Sequence, residues 1–152
     1  DTTNSPIAAY RWEHTDAALR EQLLLEDEGH PATVSQGHAA VRYSNPTTGG
    51  DVMPTIRAEF HRFRAGASTQ PLREVGSSVW QVFDGTGTVV LDGERRELAK
   101  GDLFVVPSWA QWSLEASGDA GSKAEFDLFR FSDAPIFERL NFNRTYIEGR
   151  TK

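Results

Sequence analysis

Apolar and polar residues alternate through much of the chain between residues 55 and 131, in the period-two pattern of half-buried β-strands. The segment Thr55–Phe63 alternates aromatic with charged residues, and several later segments are rich in β-branched and aromatic residues, which favour strands. Together these patterns predict strands over Thr55–Phe63, Val79–Phe83, Thr88–Leu91, Arg95–Leu98, Leu103–Val106 and Phe126–Phe131.

The dipeptide Asp92-Gly93 separates two of these strands and is typical of a two-residue hairpin turn. Many short strands, with turn residues about every eight to twelve positions, are typical of an all-β sandwich or barrel.

A helical pattern precedes the strands. Leu19 and Leu23 are four positions apart and therefore share one helix face. Thr15 or Asp16 is predicted to cap the start of this helix, and Gly29 to follow its end. So short a leucine stripe needs a surface to cover, either on the chain's own barrel or on another subunit or domain.

These patterns divide the chain into three parts. Residues 1–50 are predicted to form an arm with one helix and a loop, residues 51–133 the barrel, and residues 134–152 a C-terminal tail. The tail has no clear period, but a short helix is expected around 136–140.

Composition excludes several classes of function. The net charge is -6 and the basic residues are scattered, which argues against nucleic-acid binding. With no cysteine, the chain has no disulfide, thiolate metal site or cysteine nucleophile. No apolar run reaches membrane-spanning length, and we expect a cytoplasmic protein without membrane contact.

Candidate catalytic chemistry is sparse. No Gly-x-Ser-x-Gly elbow is present, and the four histidines, at positions 14, 30, 38 and 61, form no closely spaced pair. His61 is the best candidate metal ligand among them, because Glu59 lies on the same face of its strand. A site built from His61 with Glu59 or Glu74 is one possibility.

Two segments resemble the paired motifs of the cupin family, G-x5-H-x-H-x3,4-E-x6-G and G-D-x4-P-x4-H. The motifs cover 66–85 and 101–112. The scaffold residues of the motifs are present: Gly66, Gly85, Gly101, Asp102 and Pro107. The resemblance implies a cupin double-stranded β-helix, a jelly-roll barrel, with an N-terminal helical arm.

The four metal-binding positions of these motifs carry other residues. They fall on Leu72, Glu74, Ser78 and Trp112, of which only Glu74 is a good ligand. We therefore predict no metal site and no catalytic residue in this chain. The interior is either filled by Trp80 and Trp112 or open as a small-molecule pocket. The pocket residues would be Arg73, Glu74, Ser78, Trp80 and Trp112.

A narrower resemblance covers nearly the whole chain. The stretches RYSNPTTGGDVMPTIRAEFHRF, SSVWQVFDGTG, GDLFVVPSW and FDLFRFSDAPI are similar to the C-terminal half of the gentisate 1,2-dioxygenases, a bicupin family. The chain begins at Asp1 without a methionine, so it is either processed or one piece of a longer polypeptide.

The resemblance implies ring cleavage of gentisate with O2 to maleylpyruvate by the whole polypeptide. Fe(II) would be held by three histidines of an N-terminal cupin, which is the expected partner of this chain in a tetramer. This chain would then be a metal-free, mainly structural domain that is inactive alone. The alternative is a free-standing, non-catalytic cupin that binds a small aromatic or sugar acid.

Overall fold

The computed structural model describes residues 10–149, which form two five-stranded antiparallel sheets and two helices. In chain order the elements are α1 Trp12–Asp27, β1 His38–Arg42, β2 Arg57–Arg64, β3 Leu72–Glu74, β4 Ser78–Asp84, β5 Gly87–Leu91, β6 Glu94–Leu98, β7 Leu103–Val106, β8 Trp112–Ala116, β9 Glu125–Ser132, α2 Ala134–Arg139 and β10 Thr145–Ile147. The predicted hairpin is confirmed, because β5 and β6 pair on either side of Asp92-Gly93.

The first sheet has the strand order β1-β2-β9-β4-β7, and the second has the order β10-β3-β8-β5-β6. Both sheets contribute inward side chains to one continuous apolar core. Its buried members are Phe63, Trp80, Val82, Val89, Leu98, Phe104, Val106, Trp112, Leu114, Ala116, Phe126 and Leu128. The all-β barrel with an N-terminal helix is therefore confirmed.

Helix α1 packs on the outer face of the first sheet, which resolves the two alternatives for the leucine stripe. Leu19 and Leu23 form a second apolar cluster with Ala39 of β1 and Phe60 of β2. The helix ends in acidic residues, which oppose the helix dipole. Arg64 compensates by pairing with Asp27 at 2.7 Å.

The predicted helix cap is wrong. Helix α1 begins at Trp12, after Arg11, and no side chain caps it. The hydroxyl of Thr15 instead lies 2.8 Å from that of Tyr43. The helix starts earlier because the Trp12 ring packs against Phe60 of the sheet, with ring centroids 5.1 Å apart.

Four strands, β1, β3, β8 and β10, are missing from the strands that the sequence patterns predict. Strand β1 lies within residues 1–50, where only an arm and loop are predicted, and β10 lies in the predicted tail. Strand β1 pairs with β2, the next strand along the chain, and β10 pairs with β3, which lies far from it in sequence. The division of the chain into parts at residues 51 and 134 stays a prediction. Strand β1 belongs to the first of these parts, but it pairs with β2 in the barrel sheet.

One motif glycine has a clear steric reason. Gly85 has φ +81°, and a Cβ there would lie 2.1 Å from the carbonyl oxygen of Glu125. Only glycine fits this backbone approach between the β4–β5 turn and β9.

Candidate functional site

The four positions that hold metal ligands in the cupin motifs carry side chains that contribute to the packed interior. Leu72 of β3 is directly opposite Trp112 of β8 and packs against the inner core. Ser78 is buried, and its hydroxyl accepts a hydrogen bond of 3.0 Å from the indole Nε1 of Trp80. Glu74 extends toward the interior from the end of β3, where it meets Arg130. These positions have therefore lost the donor set of a cupin metal centre.

Two tryptophans occupy the space between the sheets. The rings of Trp80 and Trp112 have centroids 5.3 Å apart at an interplanar angle of 55°. Phe104 stacks on Trp80, with centroids 5.9 Å apart. Trp80 and Trp112 are 1% and 5% exposed, so both indoles contribute to the core rather than lining an open wall.

Arg130 of β9 is the central polar residue of this interior, and the sequence patterns did not single it out. Its guanidinium carbon lies 5.0 Å from the centroid of the Trp80 ring and 5.8 Å from that of Trp112. Nη1 donates to Glu59 Oε1 at 3.2 Å, and Nη2 donates to Glu74 Oε1 at 3.1 Å. A signal was available: in the alternation of β9, position 130 shares the inward face with Phe126 and Leu128.

Two buried histidines extend the network from Glu59 toward β1. His61 Nε2 lies 3.1 Å from Glu59 Oε1, and His61 Nδ1 lies 2.8 Å from His38 Nε2. If both rings are neutral, His38 Nε2–H donates to His61, and His61 Nε2–H donates to Glu59. That assignment leaves His38 Nδ1 as an acceptor, and this buried atom has no partner among residues 10–149.

The pKa values of the network favour neutral imidazoles beside a carboxylate. Burial lowers the pKa of His38 to about 3, and the neighbouring His61 acts in the same direction. Burial also lowers the pKa of His61, although Glu59 opposes this. For Glu59, burial alone raises the pKa, but the hydrogen bond with His61 and the charge of Arg130 outweigh it and bring the pKa to about 2.

The remaining candidates lie apart from this network. Arg73 alternates with Glu74 on β3, and its Nη1 donates to the carbonyl oxygen of Trp109 at 2.9 Å. The structure thus brings Glu74, Ser78, Trp80 and Trp112 together and places Arg73 elsewhere. His14 and His30 are exposed.

The residues present do not fit the metal that the cupin motifs imply. Across residues 10–149, no three His, Asp or Glu side chains are grouped so that they could hold a metal ion. His61 and Glu59 are adjacent, as expected from their strand, but the guanidinium of Arg130 lies between Glu59 and Glu74. A permanent positive charge there would repel a metal cation.

Two cavities lie outside the barrel interior. One, of about 300 Å³, is on the outer face of the first sheet beside Phe83, Lys100 and Phe129. The other, of about 520 Å³, lies between the loop around residues 45–54 and helix α2.

Within residues 10–149, no helix is both long and apolar enough to cross a membrane.

The two facing sheets and the retained motif glycines define a cupin domain, and a family profile described as "Cupin domain" matches residues 59–126. Within that class, the chain is 54% identical to a gentisate 1,2-dioxygenase of Streptomyces sp over 95% of its length, in the C-terminal region of that enzyme. It is also 32% identical, over 91% of its length, to a 5-aminosalicylate 1,2-dioxygenase of Comamonas sp.

A solved structure agrees with these relatives. The salicylate 1,2-dioxygenase from Pseudaminobacter salicylatoxidans superposes with a TM-score of 0.86 and 66% identity over 93% of this chain. The chain spans only 39% of the Streptomyces enzyme, 35% of the Comamonas enzyme and 39% of the solved chain. These relatives are therefore longer than the cupin domain described here.

Proposed function

We propose that this chain is the C-terminal, metal-free cupin of a ring-cleavage dioxygenase that acts on gentisate or a related hydroxybenzoate. The whole polypeptide would carry the activity, with Fe(II) in a cupin that precedes this one. This domain would stabilise the assembly, which we expect to be a cytoplasmic homo-oligomer.

The observation that carries the proposal is the position of Arg130. In the interior where the motifs would place a metal, this guanidinium lies over two tryptophans and pairs with two carboxylates. The similarity to three dioxygenases over most of this chain, but over only 35–39% of theirs, supports a catalytic centre in the remaining part.

The same network disfavours the alternative, a free-standing cupin that binds a small aromatic or sugar acid. An acid ligand needs an available positive charge. Arg130 is already paired with both Glu59 and Glu74, so a carboxylate ligand would meet a group with net negative charge.

The test compares this chain alone with a chimera. In the chimera, the preceding region of the Pseudaminobacter salicylate 1,2-dioxygenase is joined to this chain in place of the enzyme's own C-terminal region. Iron content and gentisate-dependent O2 consumption are measured for both. We expect iron and turnover in the chimera and neither in the chain alone. Stoichiometric iron with turnover in the chain alone would refute the proposal.

A further inference from the structure

The outer face of the first sheet is covered unevenly. Helix α1 covers the half formed by β1 and β2, where Ala39 and Phe60 are buried. The half formed by β4, β7 and the end of β9 carries apolar side chains that are 41–55% exposed. We call these residues the outer patch: Val79, Phe83, Leu103, Val105 and Phe131.

The outer patch is continuous across three strands. Val79 of β4 is directly opposite Phe131 of β9 on one side and Val105 of β7 on the other. Two residues further along the same face, Leu103 of β7 is opposite Gln81 of β4. Gln81 lies between Val79 and Phe83 and is the one polar residue among these three outward positions of β4. An edge strand that faces water usually carries charged outward residues, whereas β7 presents leucine and valine. Lys100 lies at the margin of this surface, beside Phe83. A predominantly apolar surface with charge only at its rim is typical of a permanent interface.

The start of helix α1 lies at the edge of the outer patch. The ring of Trp12, the first residue of α1, lies 4.7 Å from that of Phe83, a member of the outer patch. In the longer relatives, most of the polypeptide lies outside the region matched here, and the match is to the C-terminal region. A domain that precedes this one in a longer polypeptide would be joined to it through the start of α1, beside the outer patch, which would raise its effective concentration there.

We infer that the outer patch is the docking surface for the preceding cupin of the same polypeptide, packed against β4 and β7. The inference rests on the proposed function, and it adds which face of this domain holds the partner. The absence of charged side chains along Phe131, Val79 and Val105 favours a partner surface that is itself apolar and permanently attached.

The test uses a single cysteine, because the chain has none of its own. Val105→Cys places a thiol in the outer patch, and Glu97→Cys places one on the exposed, charged strand β6 as the matched control. Both variants are made in the chain alone and in the chimera. Maleimide labelling rates at these cysteines are followed by peptide mass spectrometry.

We expect Cys labelling at position 105 to be about tenfold slower or more in the chimera than in the chain alone, with little change at position 97. A benzophenone maleimide attached at position 105 should then crosslink to peptides of the preceding region. Equal labelling rates at position 105 in the two proteins would overturn the inference. So would crosslinks confined to β4 and β7 of a second copy.

The readouts separate this inference from the proposed function. An active, iron-containing chimera with an unprotected position 105 leaves the proposed function standing and removes the docking surface. An inactive chimera in which position 105 is protected and crosslinked to the preceding region supports the docking surface and contradicts the proposed function.

Discussion

Replacing Arg130 with methionine tests whether the guanidinium is what stabilises two partly buried carboxylates. The substitution keeps an unbranched apolar stem beside Trp80 and removes the charge between Glu59 and Glu74. The side chains of Arg130 and Glu59 are 15% and 14% exposed, and that of Glu74 is 30% exposed. Removing one partner of a buried ion pair costs about 3–5 kcal/mol. Because water reaches Glu74, we expect the lower end, about 3 kcal/mol, at pH 7.

Urea unfolding followed by tryptophan fluorescence is the appropriate assay, since Trp80 and Trp112 lie beside the substituted group. With an m-value of about 1–3 kcal/mol/M, a loss of about 3 kcal/mol lowers the unfolding midpoint by about 1–3 M. The matched control is Arg95→Met. Arg95 pairs with Glu115 on the surface, where their side chains are 62% and 40% exposed, and its loss should leave the unfolding midpoint nearly unchanged.

A second variant distinguishes charge from packing. Combining Arg130→Met with Glu59→Gln and Glu74→Gln removes the unpaired negative charges, so it should recover most of the lost stability. A loss of less than about 1 kcal/mol for Arg130→Met alone, or no recovery in the triple variant, would refute the electrostatic reasoning.

Three further predictions concern pH, one glycine and the helix. His38, with a folded pKa of about 3 against 6.5 unfolded, takes up a proton more readily in the unfolded state, so stability is full above pH 6.5 and falls toward pH 3. Urea unfolding should show a loss of about 2 kcal/mol from this group between pH 7 and pH 5, and His38→Gln should flatten that dependence. Gly85→Ala should cost about 3 kcal/mol or more through its clash with Glu125, whereas Gly93→Ala, with φ +85° and open space, should cost only about 1–2 kcal/mol; similar losses would contradict the clash. Leu23→Ala should cost about 2–3 kcal/mol in thermal or urea unfolding and the exposed Leu24→Ala close to nothing, and equal effects would contradict the packing of α1 on the sheet.

The strands of the barrel could be predicted because their period-two pattern reflects two different environments. In β4 the inward residues Ser78, Trp80 and Val82 are buried, while the outward residues between them are exposed. The sequence records this contrast locally, so strand positions and facing followed without any knowledge of the partner strands. Trp80 in β4 and Trp112 in β8 belong to different sheets, and their rings meet between them.

The elements that were not predicted depend on contacts with other parts of the chain rather than on their own sequence. Strand β1 has the sequence HAAVR, whose alanines have little strand preference, and it is a strand because β2 offers a complete ladder of partners. The start of α1 similarly depends on Trp12 packing against the sheet rather than on a capping residue. Local patterns contain neither kind of information.

The candidate site shows the same limit more sharply. Sequence comparison with the cupin motifs identified which ligands are absent, but it could not show what takes their place. The replacement, Arg130, is 71 residues from Glu59 and 56 from Glu74. Its role becomes visible only when β9 is seen between β2 and β4, with position 130 facing inward.

This arrangement accounts for the polar residues in the interior of a cupin domain that, as we propose, holds no metal. With Leu72, Ser78 and Trp112 at three of the four motif positions and Glu74 at the fourth, Glu74 and the neighbouring Glu59 are partly buried negative charges. They would destabilise the fold if they were unpaired. A guanidinium on an inward position of β9 neutralises both carboxylates, and its flat faces also pack on aromatic rings. Tryptophan at position 112 is then compatible with the interior because it supplies one of those rings. In the metal-free domain that we propose, the residues at the ligand positions, Trp112 and the inward Arg130 form one coupled set. A covalently attached cation then lies where the cupin motifs imply a metal ion.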